Sequence, residues 1–240
     1  MKFYRNFSPI KAISFDLDDT LYDNYPFIME AERKLLNYLS ASYPKTSEFS
    51  YQDWQQFKLE HLQSQPQLAS DMGALRKHTL QTGLQKAGYQ DHHLSSAVDD
   101  CFDFFYHHRS NFQVNQEICA LLSKLANKLP LVAITNGNVN LQQIGISEYF
   151  SHCFKANLER PMKPHDAMFT LASSTLKVDP KEILHVGDNL EKDVMGAINA
   201  GMQSGWYAYN RKMHLTQEKT TVLPHVQLDD LEELNLLIEN

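Results

Sequence analysis

The sequence predicts an α/β fold: a doubly wound, Rossmann-like parallel sheet with an inserted all-helical domain. Three observations carry this prediction. Short apolar runs of strand length alternate with segments of helical periodicity, as in sheets whose central strands are buried on both faces. Each apolar run ends directly before polar or glycine residues. A long segment with helical spacing and no strand-like run separates the first apolar run from the others.

Central strands are predicted at three apolar runs, residues 12–15, 131–134 and 183–186. Between and after these runs, apolar residues recur at the spacing of one helix face. Two such stripes are Ile118, Leu121, Leu122 and Leu125, and Phe169, Ala172 and Leu176. A third stripe, within residues 224–240, predicts a final amphipathic helix that contains Leu228, Leu231, Leu234 and Leu237 or Ile238. Strands that alternate with helices favour a doubly wound sheet.

The inserted segment, residues 22–110, is predicted to be helical throughout. One stripe contains Ile28, Ala31, Leu35 and Leu39, and another contains Leu94, Val98, Cys101 and Phe105. Prolines and glycines divide the segment into several helices. We therefore expect a core domain formed by residues 1–21 and 111–240, and a separate helical domain formed by residues 22–110.

Composition argues against several classes of function. The chain has 240 residues and a formal net charge of −7, and it contains no run rich in Lys and Arg. Because affinity for a phosphate backbone depends on clustered cations, nucleic acid is not an expected partner. No stretch approaches the roughly 18 consecutive apolar residues of a membrane span, and the first residues do not resemble a signal peptide. Three isolated cysteines fit a reduced compartment, so we predict a cytoplasmic protein; nothing indicates its oligomeric state.

Polar side chains follow directly after each predicted strand. Asp16 and Asp18 follow the first strand, Thr135 follows the second and Asp188 follows the third. The carboxyl ends of the strands form the ligand crevice of an open α/β sheet, so we expect these side chains to meet. Asp193 comes shortly after Asp188 and is expected near the same place.

Several carboxylates in one site need compensating cations. Two unit charges 4 Å apart repel by about 4 kcal/mol at an effective dielectric constant of 20. A cluster of hard oxygen ligands suits Mg²⁺, which takes one or two carboxylates and leaves its other positions to water and phosphate. Lys163 supplies a second cation. The residues therefore predict a magnesium site that handles an anionic substrate.

Four short motifs resemble those of the haloacid dehalogenase-like hydrolases and occur in the same order. They are Asp16-x-Asp18-x-Thr20, Thr135, Lys163, and Gly187-Asp188 with Asp193. The match covers residues 1–21 and about 111–240. The resemblance implies a Mg²⁺-dependent phosphatase whose helical segment is a cap domain that closes over the crevice and excludes water.

The same resemblance implies a role for each matched residue. Asp16 would be the nucleophile and a metal ligand, and Asp18 would be the general acid and base with its backbone carbonyl on the metal. Thr135 and Lys163 would hold the phosphate, and Asp188 would ligate Mg²⁺. These residue types suit the reaction, because a carboxylate nucleophile divides hydrolysis into two easier displacements.

Some positions keep more than one interpretation. Asp193 supports the metal or Lys163, or it caps a helix at residues 194–200. Asn136 either takes part in phosphate binding through backbone donors or forms part of a simple turn. Asp19 is expected to act as a cap or a supporting residue, since its neighbours explain the motif without it.

We expect a phosphatase for a small phosphorylated metabolite, with three alternatives. Haloacid dehalogenation needs an aspartate nucleophile but no metal, and Asp18 with the acidic pair Asp188 and Asp193 argues against it. A phosphomutase would use the same core and retain the phosphoryl group. A protein that only binds a phosphorylated ligand needs no nucleophile, so Asp16 argues against it.

Beyond the motifs, the chain resembles a bacterial flavin mononucleotide phosphatase subgroup of this family. The similarity includes residues 3–5, 15–24, 131–138 and 183–188. It implies activity on flavin mononucleotide and on the phosphorylated ribitylaminouracil intermediate of riboflavin synthesis. Both compounds carry a terminal phosphate on a ribityl chain and a planar ring on which aromatic side chains can stack. A phosphatase for another metabolite, such as a sugar phosphate or phosphoglycolate, is the alternative within the family.

Overall fold

The computed structural model describes residues 1–218 and 221–238. The chain forms two compact units. The sheet unit consists of Met1–Asn24, Gln113–Gly137 and Leu141–Asn240, and the helical unit consists of Tyr25–Phe112 with Asn138–Asn140. The sequence predicted a helical domain at residues 22–110, without the short return of the chain at residues 138–140.

Four α-helices form the helical unit: α1 (Tyr25–Ser42), α2 (Tyr51–Ser64), α3 (Met72–Lys86) and α4 (Asp91–Arg109). The predicted stripes on α1 and α4 are confirmed, because Leu35, Leu39, Cys101 and Phe105 are buried in one apolar cluster. A capping box at Ser50 begins α2, which satisfies backbone donors that a helix start leaves without partners. The segment is thus a helical module with its own apolar core.

A seven-stranded sheet forms among the described residues of the sheet unit. Its strands are β1 (Lys2–Phe3), β2 (Ala12–Phe15), β3 (Leu131–Thr135), β4 (His152–Lys155), β5 (Ile183–Gly187), β6 (Gln203–Trp206) and β7 (Val226–Gln227). Their order is β1-β7-β6-β5-β2-β3-β4. Every neighbouring pair is parallel except β1 and β7. The predicted α/β fold with a parallel sheet and a helical insertion is confirmed.

The strands β2, β3 and β5 are fully buried, which explains why their sequences are almost continuously apolar. In the register of the sheet, Phe15 lies beside Ala133 on one side and Val186 on the other. The three strands therefore end within two residues of the same level. Residues that directly follow them come together at one edge of the sheet.

The sheet unit also contains α5 (Gln116–Ala126), α6 (Ala167–Leu176), α7 (Gly196–Asn199) and α8 (Leu234–Ile238). The helices α5 and α6 confirm the two predicted stripes, and Phe169 and Ala172 of α6 are buried against Ile134 of β3. A π-helical segment, Leu190–Met195, precedes α7. Within residues 1–218 and 221–238, no helix is both long and apolar enough to cross a membrane.

The prediction of a final helix within residues 224–240 is wrong for the first half of that segment. That part forms β7, and the Leu228 N–H donates to the Trp206 carbonyl. Val226 and Leu228 are buried beside β6, where strand pairing satisfies backbone groups that water does not reach. Only α8 is α-helical. The end of the prediction, residues 239–240, lies outside the described part of the chain.

Candidate active site

The carboxyl ends of β2, β3 and β5 border a cavity of about 270 Å³ in the sheet unit. All the residues predicted for the site line this cavity: Asp16, Asp18, Thr135, Asn136, Lys163, Asp188 and Asp193. The lining also includes Asp19, Asn24, Gly137, Asn189 and Lys192. The predicted residues therefore share one concave site, as the similar level of the three strand ends requires.

Asp16 directly follows β2 and is buried. Its Oδ1 accepts from Lys163 Nζ at 2.6 Å, and its Oδ2 accepts from the Thr20 hydroxyl at 3.3 Å. Burial raises the pKa of Asp16 to about 8 against the pull of the Lys163 ammonium, and the Asp193 carboxylate adds to the rise. The Asp16 carboxylate is therefore short of positive charge, which a bound cation would supply.

Lys163 is a buried ammonium with only 1% of its surface exposed. Its Nζ donates to Asp16 Oδ1 and Asp193 Oδ1, both at 2.6 Å, and to the Ile134 carbonyl at 2.7 Å. Burial alone would lower the pKa of Lys163, but the two carboxylates outweigh burial and raise the pKa. All three ammonium donors thus have acceptors, and the side chain is a fixed positive charge beside Asp16.

Asp193 faces Lys163 from inside the π-helical segment Leu190–Met195. It lies inside a helical turn that runs directly into α7 and that the Asn189 side chain caps, so the alternative in which Asp193 caps the following helix is wrong. Its Oδ2 accepts from the Asn189 backbone N–H at 3.0 Å. Burial disfavours its charge, but Lys163 and His185 prevail and hold the pKa of Asp193 well below its usual range. Asp193 is therefore an ionised carboxylate with both oxygens engaged.

Asp188 directly follows β5 and is oriented by a guanidinium and an indole. Arg211 Nη1 donates to Asp188 Oδ2 at 2.8 Å and Nη2 donates to the Asp188 carbonyl at 2.9 Å. Trp206 Nε1 donates to the same carbonyl at 2.8 Å. Burial and then the Asp193 charge raise the pKa of Asp188 to about 6, while Arg211 opposes the rise. The Arg211 pair engages Oδ2 and leaves Oδ1 for another partner.

Asp18 is a partly exposed carboxylate in the cavity wall. The Tyr22 hydroxyl donates to Asp18 Oδ1 at 2.6 Å. A Cβ at Gly137 would lie 2.6 Å from Asp18 Oδ2, so this close approach requires glycine. Asp19 supports the loop, as predicted: its Oδ1 accepts from the Asn24 N–H at 2.9 Å, and its φ is 64°.

Thr135 and Asn136 form the turn at the end of β3. Thr135 Oγ1 accepts from the Gly137 N–H at 3.0 Å. The Asn136 amide bonds both backbone groups of Lys163: Oδ1 accepts from its N–H at 2.7 Å, and Nδ2 donates to its carbonyl at 3.1 Å. The Asn136 side chain therefore holds the Lys163 loop in place. Any direct contact of Asn136 with phosphate falls to its backbone.

A divalent cation fits the carboxylates of this cavity. Asp16, Asp188 and Asp193 offer oxygens that lie within 4.8 Å of one another, and hard oxygen donors are the ligands that Mg²⁺ prefers. Asp193 uses Oδ1 for Lys163 and His185 and Oδ2 for a backbone N–H at 3.0 Å, whereas Asp16 Oδ2 accepts from the Thr20 hydroxyl at the longer distance of 3.3 Å; Asp16 and Asp188 are therefore the better ligands. Burial, with the Asp193 charge added to it, raises the pKa of Asp16 and of Asp188, and a bound cation would favour the ionised form of both.

Contacts of four further side chains were not predicted from the sequence: Ser14, Tyr22, His185 and Arg211. His185 is a lone polar residue in an apolar strand, and its polarity among apolar neighbours is the only signal the sequence offers. Arg211 pairs with Asp188, 23 residues away, so no local pattern links them. Tyr22 is four residues from Asp18, a spacing that gives no signal in a loop.

Comparison with known proteins agrees with this fold. The chain belongs to the haloacid dehalogenase-like hydrolase family, whose model matches residues 10–201. Over 238 residues it is 35% identical to the 5-amino-6-(5-phospho-D-ribitylamino)uracil phosphatase of Escherichia coli strain K12; the match covers 99% of this chain and 100% of the relative. Over 239 residues it is 27% identical to the glyceraldehyde 3-phosphate phosphatase of Pyrococcus abyssi, covering 96% of this chain and 94% of the relative.

A similar solved structure is that of a 2-haloacid dehalogenase from Pseudomonas syringae pv. tomato DC3000. The two structures superpose with a TM-score of 0.89 at 32% sequence identity, over 96% of this chain and 98% of the other. The family and its phosphatase relatives identify the chain as a phosphoric monoester hydrolase. The predicted family and enzyme class are confirmed, and the Escherichia coli relative agrees with the subgroup that the sequence resembles.

Proposed function

We propose that this protein hydrolyses phosphate monoesters of small metabolites in two displacements, with Asp16 as the nucleophile. One observation carries the proposal: the buried Asp16 carboxylate contacts the Lys163 ammonium at 2.6 Å and lies within 4.8 Å of an Asp188 oxygen. A nucleophile, a fixed cation and a second carboxylate for a metal thus border one cavity. These groups suit phosphoryl transfer through a covalent intermediate, which needs a nucleophile and positive charge to stabilise the phosphoryl oxygens.

In the first displacement, an Asp16 oxygen attacks phosphorus, and the bond between phosphorus and the ester oxygen breaks. The leaving oxygen takes a proton from the Asp18 carboxyl group, which the Tyr22 hydroxyl orients. An aspartyl phosphate forms on Asp16, and the alcohol of the substrate is released.

In the second displacement, water attacks the phosphorus of the aspartyl phosphate, and the bond from phosphorus to Asp16 breaks. The ionised Asp18 carboxylate accepts a proton from that water. Inorganic phosphate leaves, Asp16 regains its free carboxylate, and Asp18 regains the proton that it lost in the first displacement.

Lys163 stabilises the phosphoryl charge, and its contacts indicate how. Its three donors already bind Asp16, Asp193 and a backbone carbonyl, so a phosphoryl oxygen must replace one of these acceptors. Asp16 is the acceptor to be replaced, because its carboxylate loses charge when it bonds to phosphorus. Asp193 keeps its charge and continues to hold Lys163 in place.

The proposed cofactor is Mg²⁺, with Asp16 and Asp188 as side-chain ligands and the Asp18 carbonyl as the backbone ligand that the family implies. When bound, Mg²⁺ would act as a Lewis acid on the phosphoryl oxygens. Thr135 and the backbone of Asn136 would hold the oxygens that remain. The assignment of residues 1–21 and 111–240 to a catalytic core and of residues 22–110 to a cap belongs to the same proposal.

The preferred substrates we propose are flavin mononucleotide and the phosphorylated ribitylaminouracil intermediate. The Escherichia coli relative, 35% identical over its full length, supports this choice because its name specifies the second compound. The cavity of about 270 Å³ suits the phosphoryl end of such a molecule, since sites for whole drug-sized ligands span about 300–1,000 Å³. Stacking on the planar ring would add about 0.5–1.5 kcal/mol, which produces preference rather than strict selectivity.

A panel of phosphate esters tests activity and substrate separately. p-Nitrophenyl phosphate, assayed with and without a chelator, measures metal-dependent phosphatase activity. The kcat/KM values for flavin mononucleotide and the ribitylaminouracil phosphate are compared with those for glucose 6-phosphate, phosphoglycolate and glyceraldehyde 3-phosphate. Preference for a hexose phosphate or phosphoglycolate, with flavin mononucleotide at background, removes the substrate proposal and leaves the phosphatase. Absence of phosphate release from every ester removes both.

The same preparation separates the phosphatase from the alternative reactions. Similarity to a 2-haloacid dehalogenase favours displacement of halide by Asp16 as the second candidate. A halide leaves without a proton, so this reaction gives Asp18 no role as an acid. Dehalogenation also needs no metal, so it gives Asp188 no role as a metal ligand. Halide release from 2-chloropropionate at a higher kcat/KM than phosphate release would overturn the proposal. A phosphomutase would form a new phosphate ester without inorganic phosphate, and a binding protein would turn over neither class of compound.

A further inference from the structure

A buried histidine links the centre of the sheet to the catalytic lysine. His185 lies in the middle of β5, has no exposed surface and packs edge-on against the Phe169 ring. Both of its ring nitrogens have partners: Nδ1 lies 2.8 Å from Ser14 Oγ, and Nε2 lies 3.2 Å from Asp193 Oδ1. The catalytic steps described above do not use this histidine.

The contacts of His185 determine its tautomer. Asp193 is an ionised carboxylate that can only accept, so His185 Nε2 must carry a proton and donate it. The Ser14 hydroxyl is buried on the neighbouring strand, directly beside His185 in the register of the sheet. It donates to Nδ1, which is the acceptor nitrogen of a neutral imidazole with Nε2–H.

Asp193 has three donors around it, and each restricts a different movement. The Asn189 N–H binds Oδ2 at 3.0 Å, while Lys163 and His185 both bind Oδ1. The backbone at Gly187 also lies against the Asp193 side chain, because a Cβ at Gly187 would stand 2.3 Å from Asp193 Cγ. Without His185, Oδ1 would lose one of its two donors, and the carboxylate could turn toward the metal ligands Asp16 and Asp188.

We propose that His185, fixed as the Nε2–H tautomer by Ser14, is a positioning residue for catalysis: it keeps the Asp193 carboxylate on Lys163 and out of the metal site. This inference rests on the proposed phosphatase. The order of contacts is Ser14, His185, Asp193, Lys163 and Asp16, and every member is buried. The effect on the reaction passes through Lys163, whose Nζ binds the nucleophile at 2.6 Å. His185 itself does not line the cavity.

Two amide variants of His185 separate its contact with Asp193 from its contact with Ser14. In His185→Gln the terminal Nε2 occupies the place of the imidazole Nε2 and can donate to Asp193. In His185→Asn the amide lies near the place of Nδ1, so it can bind Ser14 but does not reach Asp193. We expect His185→Gln to retain most of the wild-type kcat/KM on p-nitrophenyl phosphate. We expect His185→Asn to lose about 10- to 100-fold, as removal of a supporting hydrogen bond commonly does.

A double-mutant cycle distinguishes positioning from a general loss of packing. In an Asp193→Ala background no side-chain oxygen remains for residue 185 to hold, so the Gln and Asn variants should differ by less than about twofold. An equal difference between the two variants in both backgrounds overturns the proposal. Equal activities of the two variants in the wild-type background also overturn it.

His225→Gln is the matched control. His225 Nδ1 likewise contacts a strand serine, Ser204, but within the described part of the chain no hydrogen bond joins His225 to Lys163 or Asp193. We expect this variant to change the melting temperature and to leave kcat/KM unchanged.

A spectroscopic readout is independent of activity. Nitrogen-15 NMR of imidazole-labelled protein should show His185 neutral, with Nε2 protonated and Nδ1 unprotonated. The Nε2 signal should shift in Asp193→Asn, because its acceptor changes. A His185 ring protonated at Nδ1 alone contradicts the proposal whatever the enzyme hydrolyses. Wild-type protein with this tautomer but without phosphatase activity would instead remove the proposed function.

Discussion

Lys163 lies between two buried carboxylates and can neutralise only one of them. The opposite pKa shifts of its partners express this imbalance: the pKa of Asp193 is held below its usual range, whereas burial and the Asp193 charge raise that of Asp16 to about 8. Asp188, with a pKa raised to about 6, adds a third carboxylate nearby. In the proposed mechanism the ionised form of Asp16 attacks phosphorus, so the nucleophile depends on a further cation.

Replacing Asp16 with asparagine tests the nucleophile. The amide oxygen of the new side chain can still accept from Lys163, so the fold should survive, but an amide does not attack phosphorus. We expect Asp16→Asn to lower kcat on p-nitrophenyl phosphate at least about 1000-fold, as removal of a nucleophile does in other enzymes. Circular dichroism and the melting temperature check the fold. A folded variant within tenfold of wild-type activity would exclude Asp16 from the mechanism.

Asp18→Asn tests the general acid and base. For an alkyl phosphate, whose leaving oxygen needs a proton, we expect a loss of about 100- to 10,000-fold in kcat. p-Nitrophenol leaves readily without a proton, so with p-nitrophenyl phosphate the first turnover should be fast and later ones slow, visible as a burst. The adjacent Asp19→Asn is the control, because asparagine tolerates its φ of 64° and keeps the acceptor for the Asn24 N–H. A loss below tenfold on the alkyl phosphate would remove the role of Asp18.

At the scale of elements, the join between β5 and the π-helical segment determines where Asp193 lies. A Cβ at Gly187 would stand 2.3 Å from Asp193 Cγ and 2.4 Å from its Cβ. We therefore expect Gly187→Ala to displace Asp193 from Lys163, to lower kcat/KM more than tenfold and to reduce the free energy of unfolding by about 1–3 kcal/mol. Kinetics and urea unfolding measure the two effects.

Gly205→Ala, on the adjacent strand, is the control for that substitution. Gly205 lies opposite Val186 in β6, and the nearest atom to its added Cβ would be Val186 Cγ2 at 3.3 Å. We expect a smaller loss of stability and normal kcat/KM. Normal activity and stability of Gly187→Ala would contradict the account of the β5 end.

The elements that could be predicted from the sequence are those in which the pattern of apolar residues matches the burial of the element. The strands β2, β3 and β5 are buried on both faces, so their apolar runs indicate them directly. The strand β6 is equally buried but begins with a glutamine and a serine. Gln203 is tolerated there because its amide exchanges two hydrogen bonds with the Ser8 backbone, 195 residues away. No local pattern reveals such a partner.

The same limit applies to the site. Asp16, Asp18 and Asp188 could be predicted because each follows a strand, and parallel strands bring their ends together. The bonds from His185 to Ser14 and from Arg211 to Asp188 depend on strand order and loop conformation instead. The structure therefore adds the contacts that orient the predicted residues. These contacts join residues that are distant in the chain, so no local sequence pattern indicates them.

At the scale of the whole molecule, a chain of net charge −7 has no general attraction for a phosphate dianion. The cavity must therefore compensate locally, and its lining holds five aspartates (Asp16, Asp18, Asp19, Asp188 and Asp193) against two lysines, Lys163 and Lys192. We expect chelation to abolish turnover of p-nitrophenyl phosphate and Mg²⁺ or Mn²⁺ to restore it. Ca²⁺ should inhibit, because it prefers more ligands at longer distances. Full activity after exhaustive chelation would exclude a metal at Asp16 and Asp188.

The raised pKa of Asp16 also makes the stability of the fold depend on pH and on a bound metal ion. Its folded-state value of about 8 exceeds the 3.8 of the unfolded chain, so the folded protein retains a proton that the unfolded chain has lost. The stability from this group is complete below about pH 4 and declines as the pH rises through about 8. Burial lowers the pKa of His185 and of His225, so their contributions are complete above about pH 6.5 and do not mask the decline.

We therefore expect the melting temperature of chelated protein to fall as the pH rises from about 6.5 to 8, because folded Asp16 still holds a proton there that the unfolded chain has lost. A bound divalent cation favours ionised Asp16, so saturating Mg²⁺ should raise the melting temperature and should raise it more at pH 8 than at pH 6.5. Asp16→Asn has no carboxyl to titrate, and its melting temperature in chelator should change less over this window. Differential scanning calorimetry measures all three quantities. A wild-type melting temperature that rises with pH in chelator, or an equal Mg²⁺ effect at both pH values, would contradict the charge balance described for this cavity.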